Sequence, residues 1–177
     1  MSLLERVTDL LDAHRVPHAL IGAAALAAAG VARSTFDIDL LTTDPAVLDG
    51  AFWSSLDDSD ISVDVRRGDH EDPLAGVVRI EAASDRPVDV VVGKHEWQTQ
   101  VIARADRPAG GPPVVTPADL ILLKLYAGGS QDLWDVRELL ATVSGQAIAN
   151  QVERSLSGLP PELRTRWASV RSPNSQP

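Results

Sequence analysis

The stretch Leu20-Ile-Gly-Ala-Ala-Ala-Leu-Ala-Ala-Ala-Gly-Val-Ala-Arg-Ser-Thr-Phe-Asp-Ile-Asp-Leu40 runs from an apolar segment through two glycines to a pair of acids. His18 to Ile21 is short and apolar and reads as a buried strand. Gly22 breaks it, and Ala23 to Ala29 favours a short helix closed by Gly30. Phe36 to Thr42 alternates as far as Leu40 and reads as a second strand. Alternate residues of a strand share a face, so Asp37 and Asp39 project together while Phe36, Ile38 and Leu40 turn to the core. Residues two apart lie roughly 6.6 Å from each other along a strand. Two such carboxylates can converge on a site for two divalent cations about 3.5–4 Å apart. Mg²⁺ suits this arrangement, because it takes oxygen ligands and is commonly held by one or two carboxylates together with substrate phosphates. A third acid on a neighbouring strand completes such a cluster. Asp89, the lone charge in Val88-Asp-Val-Val-Val92, is the candidate. A pair of acids two apart is, by itself, common on a solvated strand face; its surroundings decide its meaning.

Outward from this stretch the chain reads as a mixed α/β part followed by a helical part. Ser2 and Glu5 form a capping box ahead of Leu3, Leu4, Val7, Leu10 and Leu11 at helical spacing, and Pro17 ends that helix. Asp44-Pro45 has the form of an N-cap and a first-turn proline, opening a helix expected to reach about Leu56. Ile61 to Arg66, Val77 to Ala83 and Val88 to Val92 are strand candidates, and His95 to Arg104 is helical. Asp106-Arg-Pro-Ala-Gly-Gly-Pro-Pro113 is the clearest punctuation. After it, Thr116-Pro117-x-Asp119 starts a helix that stops at Gly128-Gly129, and Ser130 is expected to cap the next, with Leu133, Val136, Leu139 and Leu140 inside. The expected division is residues 1–112, residues 113–171, and a disordered tail over 172–177.

Composition sets the outer bounds. With 44% hydrophobic residues, few aromatics and no cysteine, the chain suits a globular core of Ala, Val, Leu and Ile, and it excludes disulfides and thiolate metal sites. No run of about 18 apolar residues is present, and the first residues lack a signal-peptide pattern, so a cytoplasmic protein without membrane attachment is expected. A net charge of −9 argues against broad, non-specific nucleic-acid binding, which draws its affinity from Lys and Arg on phosphates. The four histidines have no mutual metal spacing, and Trp97, Trp134 and Trp167 read as core rather than as stacking platforms.

The order strand, glycine turn, small-residue helix, second glycine, Arg33-x-Thr35 and DxD on a strand resembles the DNA-polymerase-β-like nucleotidyltransferase superfamily. More narrowly, it is similar to small bacterial nucleotidyltransferases that include the AbiEii-type toxins and uncharacterised relatives. Lys124 within Leu120-Ile-Leu-Leu-Lys-Leu-Tyr-Ala127, followed by Asp132 and Asp135, matches a second block of those proteins, and the likeness spans about residues 18 to 140. It implies an α+β palm, a mixed sheet flanked by helices, with a small helical C-terminal part. It further implies a metal-dependent transfer of a nucleoside monophosphate from a triphosphate to a hydroxyl of a tRNA, a protein or a small molecule.

The resemblance also implies roles. Asp37 and Asp39 would hold two Mg²⁺ ions, with Mn²⁺ as a substitute, and Asp89 would join the ion nearest the acceptor hydroxyl. Gly22 and Ala23 would form the turn under the phosphates, Arg33 would pair with a phosphate, and Thr35 would orient the strand. Lys124 would steady the triphosphate as a point charge, with Asp132 beside it. Two departures stand out: Ala23 replaces a common serine or glycine, and Gln131 stands where the toxins often carry arginine. They motivate the alternative of a catalytically inactive binding module or a toxin–antitoxin component with an antitoxin partner, and leave a homo-oligomer open. A glycosyltransferase, whose DxD also binds a metal–nucleotide, needs more chain than 177 residues provide.

Overall fold

The computed structural model describes residues 1–33, 36–56 and 60–172. The chain divides into two compact units, one made of Met1–Ala24 and Ser34–Val115, the other of Ala25–Arg33 and Thr116–Pro177.

The first unit is built on a five-stranded mixed sheet. Its strands are β1 (His18–Leu20), β2 (Ile38–Thr42), β3 (Ile61–Arg67), β4 (Leu74–Ala82) and β5 (Val88–Gly93), in the order β1-β2-β5-β4-β3. β2 and β5 run parallel and the other neighbours antiparallel. The β-branched run from Val88 to Val92 suits a strand, and β5 is the central one, with Val88, Val90 and Val92 buried on one face. Leu40, Val78, Ile80, Val88, Val90 and Val92 line one face of the sheet, where they pack with Leu3, Val7 and Leu11 of helix α1 (Leu3–Ala13). The expected capping box of α1 is present: Ser2 Oγ accepts from Glu5 N, and the Glu5 carboxylate accepts from Ser2 N at 2.6 Å. Helix α2 (Gly22–Ala28) follows β1, and helix α3 (Glu96–Ala103) follows β5.

Two expectations fail here. Phe36 is neither in the strand nor in the core: it is 72% exposed, and β2 begins only at Ile38, whose N–H donates to Pro87 O. The carbonyls of Phe36 and Asp37 are taken instead by the Arg86 guanidinium, so a side chain holds this segment in place of a ladder. The helix expected over Pro45 to Leu56 is two 3₁₀ segments, Pro45–Leu48 and Gly50–Leu56. Asp44 does cap the first, accepting from Ala46 N. Asp49 then repeats the device on Ala51 N, so the chain restarts at Gly50. These segments still supply Val47, Leu48, Trp53 and Leu56 to the core.

The second unit holds the helices α4 (Pro117–Ala127), α5 (Ser130–Ala141), α6 (Gly145–Ser155) and α7 (Pro161–Arg171). Thr116 caps α4 by accepting from Asp119 N, with Pro117 in the first turn, and Gly128 closes it in a left-handed conformation. The N-cap of α5 is Gly129, with Ser130 already helical, one residue earlier than the hydroxyl suggested. Leu120, Leu122, Leu125, Val136, Leu139, Ile148, Val152 and Leu163 are buried. Trp167 is buried as expected, whereas Trp134 is 46% exposed on α5. The tail lies, from residue 173 on, outside the described residues. Among the described residues no helix is long and apolar enough to cross a membrane.

Candidate functional site

The sheet face opposite α1 carries the acids. Side chains alternate along each strand, so Ile38, Leu40, Val88, Val90, Val78 and Ile80 take one face and their neighbours take the other. The register then lines up a row across four strands. Asp39 of β2 stands opposite Asp89 of β5, Asp89 opposite Arg79 of β4, and Arg79 opposite Asp64 of β3. Asp37, just ahead of β2, reaches the same row: the Arg79 guanidinium donates to its carboxylate at 3.3 Å and to both oxygens of Asp89 at 2.9 and 3.2 Å. Arg79 also donates to Glu81 at 2.9 Å.

The electrostatics follow from that geometry. Burial pushes the Asp89 carboxyl up; Arg79 opposes this, and Asp37 and Glu81 add to it. Hydrogen bonds to Glu81 and Asp37, with the charge of Asp89, hold the Arg79 guanidinium protonated still more firmly than usual. The third acid is thus pulled two ways, with burial prevailing over Arg79.

Gly22 shapes the opposite edge of the site. It sits at φ +59°, and a Cβ there would lie 2.0 Å from an Asp39 carboxylate oxygen. Only glycine lets the Asp39 carboxylate rest against this turn. Ala23, the next residue, is buried.

In donor type these residues fit Mg²⁺: three carboxylates on one sheet face, with a guanidinium already lodged between two of them as a cation. As they stand, no three acidic or histidine side chains among the described residues close around an ion. Asp37 and Asp89 reach to Arg79, and Asp39 lies against Gly22.

The other singled-out residues form a second cluster inside the second unit. Asp135 is wholly buried on α5, and its carboxylate accepts from Arg33, from Lys124 at 2.8 Å and from Gln131 at 3.2 Å. Lys124 also pairs with Asp132 at 2.8 Å, and Asp132 accepts from Gly129 N. Arg33, Lys124 and Asp132 are therefore brought together around Asp135. Gln131, at the position where arginine was expected, supplies a donor to it. Thr35 lies outside the described residues.

Two residues with a place in the acidic site escaped the sequence. Arg79 is a lone cation in Val77-Val-Arg-Ile-Glu81 and looks like any outward strand residue until its register is known. Arg86 fastens the backbone of Phe36 and Asp37 and so sets where Asp37 starts. Neither sits in a motif.

No protein-family model and no curated protein matches the sequence. Two solved structures share the fold. The solution structure of the antibiotic-resistance factor ANT(2'')-Ia matches at 15% identity and a TM-score of 0.51, over 95% of this chain and 92% of that one. The crystal structure of ANT(2'')-Ia in complex with adenylyl-2''-tobramycin matches at 15% identity and a TM-score of 0.53, over 93% and 97%. A terminal uridylyl transferase from Trypanosoma brucei with bound GTP gives a TM-score of 0.35 at 12% identity, over 75% and 45%.

Proposed function

We propose that the protein is a metal-dependent nucleotidyltransferase, moving a nucleoside monophosphate from a triphosphate to an acceptor hydroxyl. The observation that carries this reading is the cross-strand row: Asp39 and Asp89 in register on parallel strands, with Asp37 joined to Asp89 through one guanidinium. The fold shared with ANT(2'')-Ia, which binds adenylyl-2''-tobramycin, supports it.

In the proposed reaction the acceptor oxygen bonds to the α-phosphorus, and the bond from that phosphorus to the bridging oxygen of the β-phosphate breaks. Pyrophosphate leaves, and the hydroxyl proton passes to the Asp89 carboxylate. Asp37 and Asp39 would hold divalent cations, Mg²⁺ or Mn²⁺, with Asp89 completing the donor set; such ions offset charge on the triphosphate and lower the pKa of the attacking hydroxyl. The rest falls to the chain. Asp89, opposite Asp39 on the neighbouring strand, is the carboxylate placed to take that proton. Gly22 keeps Asp39 in place, and Arg86 keeps Asp37 in place.

The test is incubation with radiolabelled triphosphates and a cell extract. Wild type should label an acceptor in a Mg²⁺-dependent way, and the Asp37→Ala/Asp39→Ala double variant should not. Labelling that persisted in the variant would remove these residues from the chemistry. The labelled fraction would also distinguish RNA, protein and small molecule.

Arg79 supports a second reading, a non-catalytic member of the fold in which the guanidinium permanently replaces a metal. Mn²⁺ titration followed by electron paramagnetic resonance separates the two: binding lost in Asp37→Asn supports the enzyme, and the absence of binding by wild type supports the module.

A further inference from the structure

We infer that the protein pairs with a second copy of itself through β3, edge to edge and antiparallel, independently of the reaction proposed above. The two edges of the sheet are finished differently. At β1 the chain covers its own edge: Leu20 N donates to Pro113 O at 2.7 Å, and Val115 N donates to Leu20 O at 3.1 Å. At the other end, β3 has a neighbouring strand, β4, on one side only. It runs for seven residues, Ile61-Ser-Val-Asp-Val-Arg-Arg67, without proline or glycine. An edge of this kind is a template for another strand.

Register fixes which groups are on offer. Gly68 N, just past β3, donates to Ala75 O at 2.8 Å. In steps of two, the main-chain groups of Arg66, Asp64 and Ser62 therefore also turn to β4. Those of Val63, Val65 and Arg67 turn outward. Among the described residues, no hydrogen bond takes the outward N–H or C=O of Val63 or Val65. The side chains of Val63 and Val65 are only half-buried against the core. Ile61 and Val63 also line, with Trp53 and Leu56, an apolar notch of about 220 Å³. An added strand satisfies the outward groups and covers part of this apolar margin.

Charge identifies the strand that fits. On the other face of β3, Asp64 and Arg66 pair at 2.7 Å and are well exposed, 56% and 73%. A two-fold axis through Val65 sets Asp64 of each copy directly opposite Arg66 of the other. These are non-hydrogen-bonded pairs, whose side chains approach most closely. Each carboxylate then lies between two guanidiniums. On the core side Val65 faces Val65 and Val63 faces Arg67, each pair exchanging both main-chain hydrogen bonds. An axis through Asp64 would set Asp64 against Asp64, and one through Arg66 would set Arg66 against Arg66; like charges directly opposite are destabilising. An axis through Val63 leaves Asp64 opposite the neutral Ser62.

The experiment is sedimentation equilibrium of the full chain from about 1 to about 100 µM, a range suited to a modest interface, with melting temperature as the folding control. Wild type is expected to pass from monomer to dimer. Val65→Pro removes an outward N–H and no bond to β4, so it should keep the fold and weaken the dimer at least about tenfold. Arg66→Asp should also weaken it, and the exchange Asp64→Arg/Arg66→Asp should restore it. A wild type that stays monomeric, a dimer indifferent to Val65→Pro or to Arg66→Asp, or one that the exchange fails to restore would overturn the inference. None of these readouts involves Mg²⁺ or a nucleotide, so the two ideas fail separately.

Discussion

Both units of the chain gather carboxylates around basic side chains, yet the two clusters are built to opposite ends. In the second unit Asp135 is sealed: it has no exposed surface, three donors converge on it, and Lys124 is only 12% exposed. Every charge there has its partner, and the cluster ties α4 to α5. In the first unit Asp37 is 37% exposed and Asp89 17%, and the two share one guanidinium that also serves Glu81. The first cluster has charge to spare, whereas in the second the central carboxylate is sealed and the charges around it balance. On our reading the closed ion network serves structure, and the under-compensated open one is the candidate site.

That contrast breaks most visibly at Asp135. Asp135→Ala should cost about 3–5 kcal/mol in chemical denaturation, because it strands Arg33 and Lys124 beside a buried gap. Asp37→Asn and Asp39→Asn should leave stability nearly unchanged while weakening Mn²⁺ binding about a hundredfold, read by electron paramagnetic resonance. A large stability loss in the aspartate variants, or a small one in Asp135→Ala, would collapse the distinction.

Arg79→Met sharpens the same comparison with a smaller effect. If the guanidinium shares its place with a metal, removing it should tighten Mn²⁺ binding about tenfold, one charge-assisted contact's worth. Weaker metal binding in this variant would make Arg79 a support for the carboxylates instead.

The smallest effect concerns pH. Burial raises the Asp89 carboxyl in the folded state, so its proton is held more tightly folded than unfolded. The stability this contributes is present below the ordinary aspartate pKa and is lost as pH rises through the raised folded value. Melting temperature against pH across the acid range should carry a falling component that is absent in Asp89→Asn.

The sequence was legible wherever the physics is local. Ser2 with Glu5 and Thr116 with Pro117 announced their helices because a cap is settled within four residues. The β-branched run at Val88 marked a strand, and the candidate acids Asp37, Asp39 and Asp89 lie along one face. The 3₁₀ turns over Pro45 to Leu56 were missed because Asp49 offers the backbone a second local partner just where a helix would propagate. Phe36 was misplaced because alternation cannot show that Arg86, fifty residues on, takes the carbonyl oxygen. Arg79 and the Arg33–Asp135 pair were invisible for the same reason: register and packing between distant segments put them there.

The central claim is that Asp37, Asp39 and Asp89 form a site that takes a nucleoside triphosphate with a divalent cation. Calorimetric titration of a triphosphate into wild type and into Asp37→Asn/Asp39→Asn, with Mg²⁺ and with chelator, tests it most directly. Binding should require Mg²⁺ in wild type and fall at least about a hundredfold in the variant. Equal binding in chelator, or in the variant, would contradict the account.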